Sequence, residues 1–140
     1  MNSAKSSVRV RYSETDQMGV VYHTHYLVWC EIARTDYIRQ FGPSYAELER
    51  AGLLLAVAEA NVRYGASAKY DDLITIEARL ERVQSRLLTF TYEIYREEPQ
   101  PRLLLATAST KLIALTPEGA TRQLPPELVQ KFRDANTQAR

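Results

Sequence analysis

Residues 12–34 read YSETDQMGVVYHTHYLVWCEIAR, and this stretch bears on the fold and the chemistry at once. Its first half has no period. The polar run SETDQ and Gly19 mark an irregular loop, broken by the apolar pair Val20 and Val21. Its second half is helical. Thr24 is placed to cap a helix that begins near His25. Tyr26, Trp29, Cys30, Ala33, Tyr37 and Phe41 then follow at spacings of three or four, along one broad face. Leu27, Val28 and Ile32 widen that face until the first two turns are apolar nearly all round. Such a helix is expected to be wrapped by other structure. Both histidines, the single Cys and the single Trp of the chain fall inside this stretch.

Working outward, Val8, Val10 and Tyr12 alternate with Arg9 and Arg11, which predicts a short first strand behind a frayed polar end at residues 1–6. Gly42-Pro43 stops the long helix. A short second helix follows at about residues 44–51, with Tyr45 and Leu48 turned inward, and ends at Gly52. Period-two alternation then predicts strands over 54–64, 74–81, 88–94 and 104–115, and Pro126 opens a closing helix that reaches Ala135. The small residues Ala56, Ala58 and Ala60 predict that the long helix presses on the second strand. The order is strand, long helix, short helix, then four strands in meander-like succession, an α+β domain spanning residues 1–140. One helix cannot cover a five-stranded antiparallel sheet, so an exposed edge or face calls for a second copy. A homo-oligomer is expected.

Composition narrows the function. With 45% hydrophobic and 25% charged residues the chain is an ordinary globular sequence. A net charge of +1 offers no electrostatic reason to bind nucleic acid or an anionic membrane. One Cys excludes an internal disulfide and a cysteine-based metal cage. No apolar run approaches the ~18 residues of a membrane span, and the N-terminus has no signal-type apolar core, so the expected location is cytoplasmic.

Among residues able to carry chemistry, Asp16 stands one loop upstream of a helix start. The N–H groups there are unpaired, and the helix dipole adds roughly half a positive charge. A carboxylate beside such a start could attack a carbonyl, or activate water, while the helix end holds the oxyanion. It could equally be a loop carboxylate that caps a turn, and the residues alone leave both open. His23 and His25 invite a metal with Asp16 as third ligand. Around a helix start, however, they diverge by roughly 200°, with no clear fourth ligand, so no metal is expected. His23 is the better acid–base candidate of the two, and as readily a structural residue whose amide matters. No GxSxG elbow surrounds Ser13 or Thr15. Cys30 reads as core, Glu31 and Arg34 as a helix ion pair, and Arg82 and Arg86 as the two sides of a solvated turn.

Two segments carry a family resemblance. RYSETDQMGVVYHTHYLVWCEIAR resembles the active-site signature of the 4-hydroxybenzoyl-CoA thioesterase type of hotdog-fold enzymes, which includes the Tol–Pal-associated acyl-CoA thioesterases. Asp16, Gly19, Val20, Val21, Tyr22 and His23 stand at the pattern's positions. YGASAKYDDLITIEARL is similar to a second family pattern, Y-x-x-P-A-x-x-D-D-x-L-x-I, with Ser67 where Pro is usual. The resemblance covers about residues 8–116. It implies a curved antiparallel five-stranded sheet wrapped around one long central helix, and a dimer or dimer of dimers (a homotetramer) with sites at subunit interfaces. It implies hydrolysis of an acyl-CoA with Asp16 as the catalytic carboxylate, the His23 N–H polarising the thioester carbonyl, and Tyr22 and the His23 ring shaping the pocket. Arg86 matches a position that contacts coenzyme A phosphates in some members. No cofactor is implied, coenzyme A being part of the substrate. Acyl carrier protein as the acyl donor, or a non-catalytic acyl-CoA-binding module, are the competing expectations.

Overall fold

The structure, a computed structural model, describes residues 3–42 and 44–138, with the backbone alone at 45, 137 and 138. Five strands, β1 (Ser3–Arg9), β2 (Leu54–Tyr64), β3 (Leu73–Val83), β4 (Leu87–Glu98) and β5 (Leu103–Leu115), form one antiparallel sheet. Helix α1 (His25–Arg39) packs on it, α2 (Tyr45–Arg50) follows α1, and α3 (Pro126–Gln138) closes the chain. The α+β class is as predicted.

Period-two alternation locates the middle of the sheet because those strands bury one face. Ile74, Ile76, Ala78 and Leu80 of β3, with Leu88, Phe90 and Ile94 of β4, are essentially inaccessible. Opposite them α1 buries Tyr26, Trp29, Cys30, Ala33, Tyr37 and Ile38, five of them on the predicted face. Phe132 of α3 extends this core, with its ring 5.0 Å from Phe41 and 6.1 Å from Tyr37. Leu48 of α2 is buried as expected, while the inward orientation expected of Tyr45 lies outside the described residues.

Four expectations are corrected. The sheet order is β1-β3-β4-β5-β2, so β2 pairs with β5 at the far edge and only β3, β4 and β5 form a meander. A helical crossover lets the chain leave one edge and rejoin the sheet at the other. The first strand starts at Ser3 and stops at Arg9, because backbone pairing from Ser3↔Arg79 to Arg9↔Leu73 defines it. Its inward residues, Ala4 and Ser6, are too small or polar to register as an apolar stripe, and the Ser6 hydroxyl donates to Asp36 of α1 at 2.6 Å. The alanines of β2 are not pressed by α1: Ala58 and Ala60 are exposed, and the register slips between Val57 and Glu59. Helix α1 packs instead on β1, β3 and β4. Its opposite side is open, with Val28 48% and Ile32 38% exposed, so this chain alone does not wrap the helix.

The sheet order has a direct consequence. Leaving β2, the chain must pass the ends of β5 and β4 before joining β3, three strand spacings or roughly 14 Å. Linker 65–72 makes that passage, and it does so beside the start of α1.

Candidate active site

Loop 10–24 is fastened at both ends before it reaches α1. Residues Tyr12–Glu14 form one 3₁₀ turn, and the Glu14 side chain folds inward until only 5% of the residue is exposed. One carboxylate oxygen accepts the Arg11 N–H at 2.8 Å and the other accepts the Trp29 indole N–H at 3.3 Å. The Glu14 carbonyl in turn accepts the Tyr22 N–H at 2.9 Å. A buried carboxylate is costly unless its oxygens are bonded, and here both are. The linker holds the other side. Ala68, fully buried, accepts the Val21 N–H at 2.8 Å and donates its own N–H to the Tyr26 hydroxyl at 3.0 Å.

Between these anchors the chain makes a tight turn around Asp16. The Asp16 N–H donates to Val20 and the Asp16 carbonyl accepts from Gly19, both at 2.9 Å, with Gly19 at φ +80° where a side chain would be strained. Carboxylate oxygen Oδ1 accepts the Met18 N–H at 2.9 Å. Among the described residues Oδ2 has no partner. The two readings of Asp16 are therefore compatible: one oxygen caps the turn and the other is left over.

Helix α1 begins at His25 as predicted, but Thr24 does not cap it. Its backbone is already helical at φ −67° and ψ −23°, and its side chain makes no capping bond. The first amides are instead taken up by tight three-residue bonds, from His25 to Tyr22 at 3.0 Å, Tyr26 to His23 at 3.4 Å and Leu27 to Thr24 at 3.2 Å. The amides one step earlier, those of His23 and Thr24, have no acceptor among the described residues.

Asp16, Tyr22 and His23 line a single open pocket of about 400 Å³, together with Met18, Tyr26 and Tyr64. The Tyr22 and His23 rings lie 4.5 Å apart, His23 and Tyr64 meet edge to face at 6.2 Å, and Tyr64 meets Tyr26 in the same way at 5.1 Å. Burial raises the Tyr26 phenol above its ordinary value, and raises Tyr64 as well. His25 turns away from this pocket, its Nδ1 3.9 Å from Glu14. Asp16, His23 and His25 accordingly do not converge as metal ligands among the described residues.

Arg86 is not brought to this pocket. Its carbonyl accepts the Ala114 N–H, whereas Tyr64 at the pocket pairs with Ala106. Along β5 that separation is roughly 27 Å at about 3.4 Å per residue. Nor do Glu31 and Arg34 form the expected ion pair. The Arg34 guanidinium donates to the Tyr92 hydroxyl at 3.2 Å, and that hydroxyl is bonded to Thr110 at 2.6 Å. Nothing in the sequence marks Glu14 as buried or Tyr64 as lining the pocket. A carboxylate in a polar loop carries no mark of burial, and a tyrosine at a strand end reads as packing.

Likeness to known proteins defines a class. The thioesterase superfamily model matches residues 18–102, and the chain belongs to that family. An acyl-CoA thioesterase, YbgC of Haemophilus influenzae, is 34% identical over 79% of this chain and 79% of its own. The acyl-CoA thioester hydrolase YbgC of Escherichia coli is 32% identical over 90% of this chain and 92% of its own. Among solved structures, the DHNA-CoA thioesterase of Staphylococcus aureus superposes with a TM-score of 0.89 at 31% identity, over 100% of this chain and 97% of that one. Among the described residues no helix is long and apolar enough to cross a membrane.

Proposed function

We propose that this protein hydrolyses an acyl-CoA thioester to a free carboxylic acid and coenzyme A. The observation that carries the reading is an Asp16 Oδ2 that is unbonded among the described residues, in one pocket with His23, at a helix start where two successive amides lack acceptors among those residues. A thioester carbonyl seated against the His23 amide would be polarised by that N–H and by the helix dipole. One well-aimed oxyanion donor is typically worth about 10²–10³ in rate. Tyr22 and the His23 ring form a wall of the pocket. The names of the relatives support coenzyme A as the carrier.

Two routes fit this geometry. In the first, Asp16 adds to the carbonyl carbon and the tetrahedral intermediate expels the coenzyme A thiolate. The resulting mixed anhydride is then hydrolysed by water. In the second, Asp16 takes a proton from water as that water attacks, and the tetrahedral intermediate then expels the coenzyme A thiolate, which takes up a proton to leave as the thiol. Label found within Asp16 after a single turnover in ¹⁸O-labelled water would identify the first route, because it requires the anhydride. No resident cofactor enters either route. Asp16→Asn should reduce turnover about 10²–10⁴-fold with the fold intact, and near-normal hydrolysis by that variant would overturn the reading.

A second copy belongs to the proposal. Edge strand β2 and the outward residues Val28, Ile32 and Val57 leave apolar surface uncovered in one chain. A dimer or dimer of dimers would cover it, and would let Arg86 of a neighbouring subunit reach the coenzyme A phosphates that its own pocket cannot offer it. The setting is a cytoplasmic one, where acyl-CoA is formed. A panel of acyl-CoA and acyl-carrier-protein thioesters, read by thiol release, tests the carrier. Turnover of carrier-protein thioesters alone would move the assignment to that donor. Saturable binding without turnover would make the chain a binding module.

A further inference from the structure

Tyr64 ends β2 and forms a wall of the pocket, yet the chemistry above gives it no part. Its hydroxyl donates to the His23 carbonyl at 2.9 Å, a bond between residues 41 positions apart. That carbonyl is poorly served by the helix it opens. The Leu27 N–H, which in a regular α-helix would reach it, goes to Thr24 instead, and the Tyr26 N–H approaches it only at 3.4 Å. The phenol is itself held, edge-on to both the His23 and Tyr26 rings. Its backbone is held too: Tyr64 pairs with Ala106, and the next two amides, Gly65 and Ala66, both donate to the Leu105 carbonyl.

We propose that Tyr64 is a positioning residue for the oxyanion site, acting through the peptide plane between His23 and Thr24. This inference rests on the thioester-hydrolysis reading. The His23 carbonyl and the Thr24 N–H share one rigid plane and point in opposite directions. A donor on the carbonyl edge fixes where the N–H edge points, and polarises it. The His23 amide belongs to the preceding plane, joined to this one at the His23 Cα, so the restraint acts directly on the Thr24 N–H and reaches the His23 N–H only through φ and ψ of His23. The bond is exposed to solvent, so water could serve the His23 carbonyl in its place. What the phenol adds is direction.

The test is Tyr64→Phe in the full chain, which removes one oxygen atom. With an acyl-CoA that the wild type hydrolyses, kcat should fall about 5–30-fold while KM stays within about twofold and the melting temperature within about 2 °C. A second readout follows the thioester carbonyl directly. In an Asp16→Asn background, the ¹³C=O stretch of bound acyl-CoA should move to lower frequency on binding, and by less when Tyr64 is Phe. An unchanged kcat in the Phe variant overturns the inference. So does a loss of kcat with an unaltered carbonyl frequency, or one that tracks a large drop in melting temperature. If the wild type hydrolyses no thioester, the functional reading itself fails and this inference falls with it. Wild-type turnover with an unaffected Phe variant removes only the part given to Tyr64.

Discussion

Glu14 is the anchor on which the site loop turns, and its removal has a calculable cost. Glu14→Ala deletes the acceptor of the buried Trp29 indole N–H and of the Arg11 amide. A buried donor left without a partner costs about 1–3 kcal/mol, and the Arg11 amide, nearer solvent, adds about 1. Relief of the carboxylate's own desolvation offsets part of this, leaving an expected loss of about 1–3 kcal/mol. For a chain of this size that lowers the melting temperature by roughly 3–10 °C. Glu14→Gln keeps the shape but turns an NH₂ toward one of the two donors, and should cost about half as much. Urea unfolding followed by far-ultraviolet circular dichroism, at one fixed protein concentration because an oligomer is expected, measures both. The control is a double-mutant cycle with Trp29→Phe. If the indole bond matters, Glu14→Ala costs about 1–2 kcal/mol less once the indole is gone. A loss under about 0.5 kcal/mol, or strict additivity with Trp29→Phe, would refute Glu14 as the anchor.

Two further outcomes follow from buried groups. The Tyr37 hydroxyl has no partner among Phe41, Phe90 and Phe132, so Tyr37→Phe should leave stability unchanged or raise it by up to about 1 kcal/mol; a loss above that, in the same urea titration, would mean the hydroxyl is bonded. Burial pushes the Cys30 thiol up to about 12, so a disulfide reagent at pH 8 should titrate no thiol in the native protein and one after denaturation. Because the folded state holds that proton more tightly, the corresponding stability is full below about pH 9 and fades as pH climbs toward 12, which melting curves against pH would reveal.

The legible parts of the fold are those where one face is buried by large side chains. The stripe Tyr26–Trp29–Cys30–Ala33–Tyr37 locates α1, and Ile74–Ile76–Ala78–Leu80 locates β3, because burial imposes periods of 3.6 and 2 on them. β1 was displaced because Ala4 and Ser6, its inward residues, have little apolar bulk to alternate. The place of β2 in the sheet was not legible at all, since its neighbour is chosen by the path of α1 across the sheet rather than by its own residues. In the pocket, Asp16 and His23 stand out because they lie just ahead of the α1 start, and Tyr22 enters only through the family resemblance. Tyr64 does not stand out, because its part depends on a contact 41 residues distant. The Glu31–Arg34 spacing suggested an ion pair, but spacing along a helix cannot anticipate a hydroxyl on β4, and Tyr92 takes the guanidinium instead.

The fastenings of loop 10–24 are mostly made by main-chain atoms: Tyr22 to the Glu14 carbonyl, Val21 to the Ala68 carbonyl, Asp16 to Val20 and Gly19 to Asp16. None of these bonds depends on what the side chains of residues 18, 20, 21 and 22 happen to be, although all four line the pocket. On the proposed reading, reactivity and selectivity would belong to separate parts of the same dozen residues. A lineage, or an engineer, could then exchange Met18 or Tyr22 to suit a different acyl group and leave the Asp16 carboxylate and the His23 and Thr24 amides where they stand.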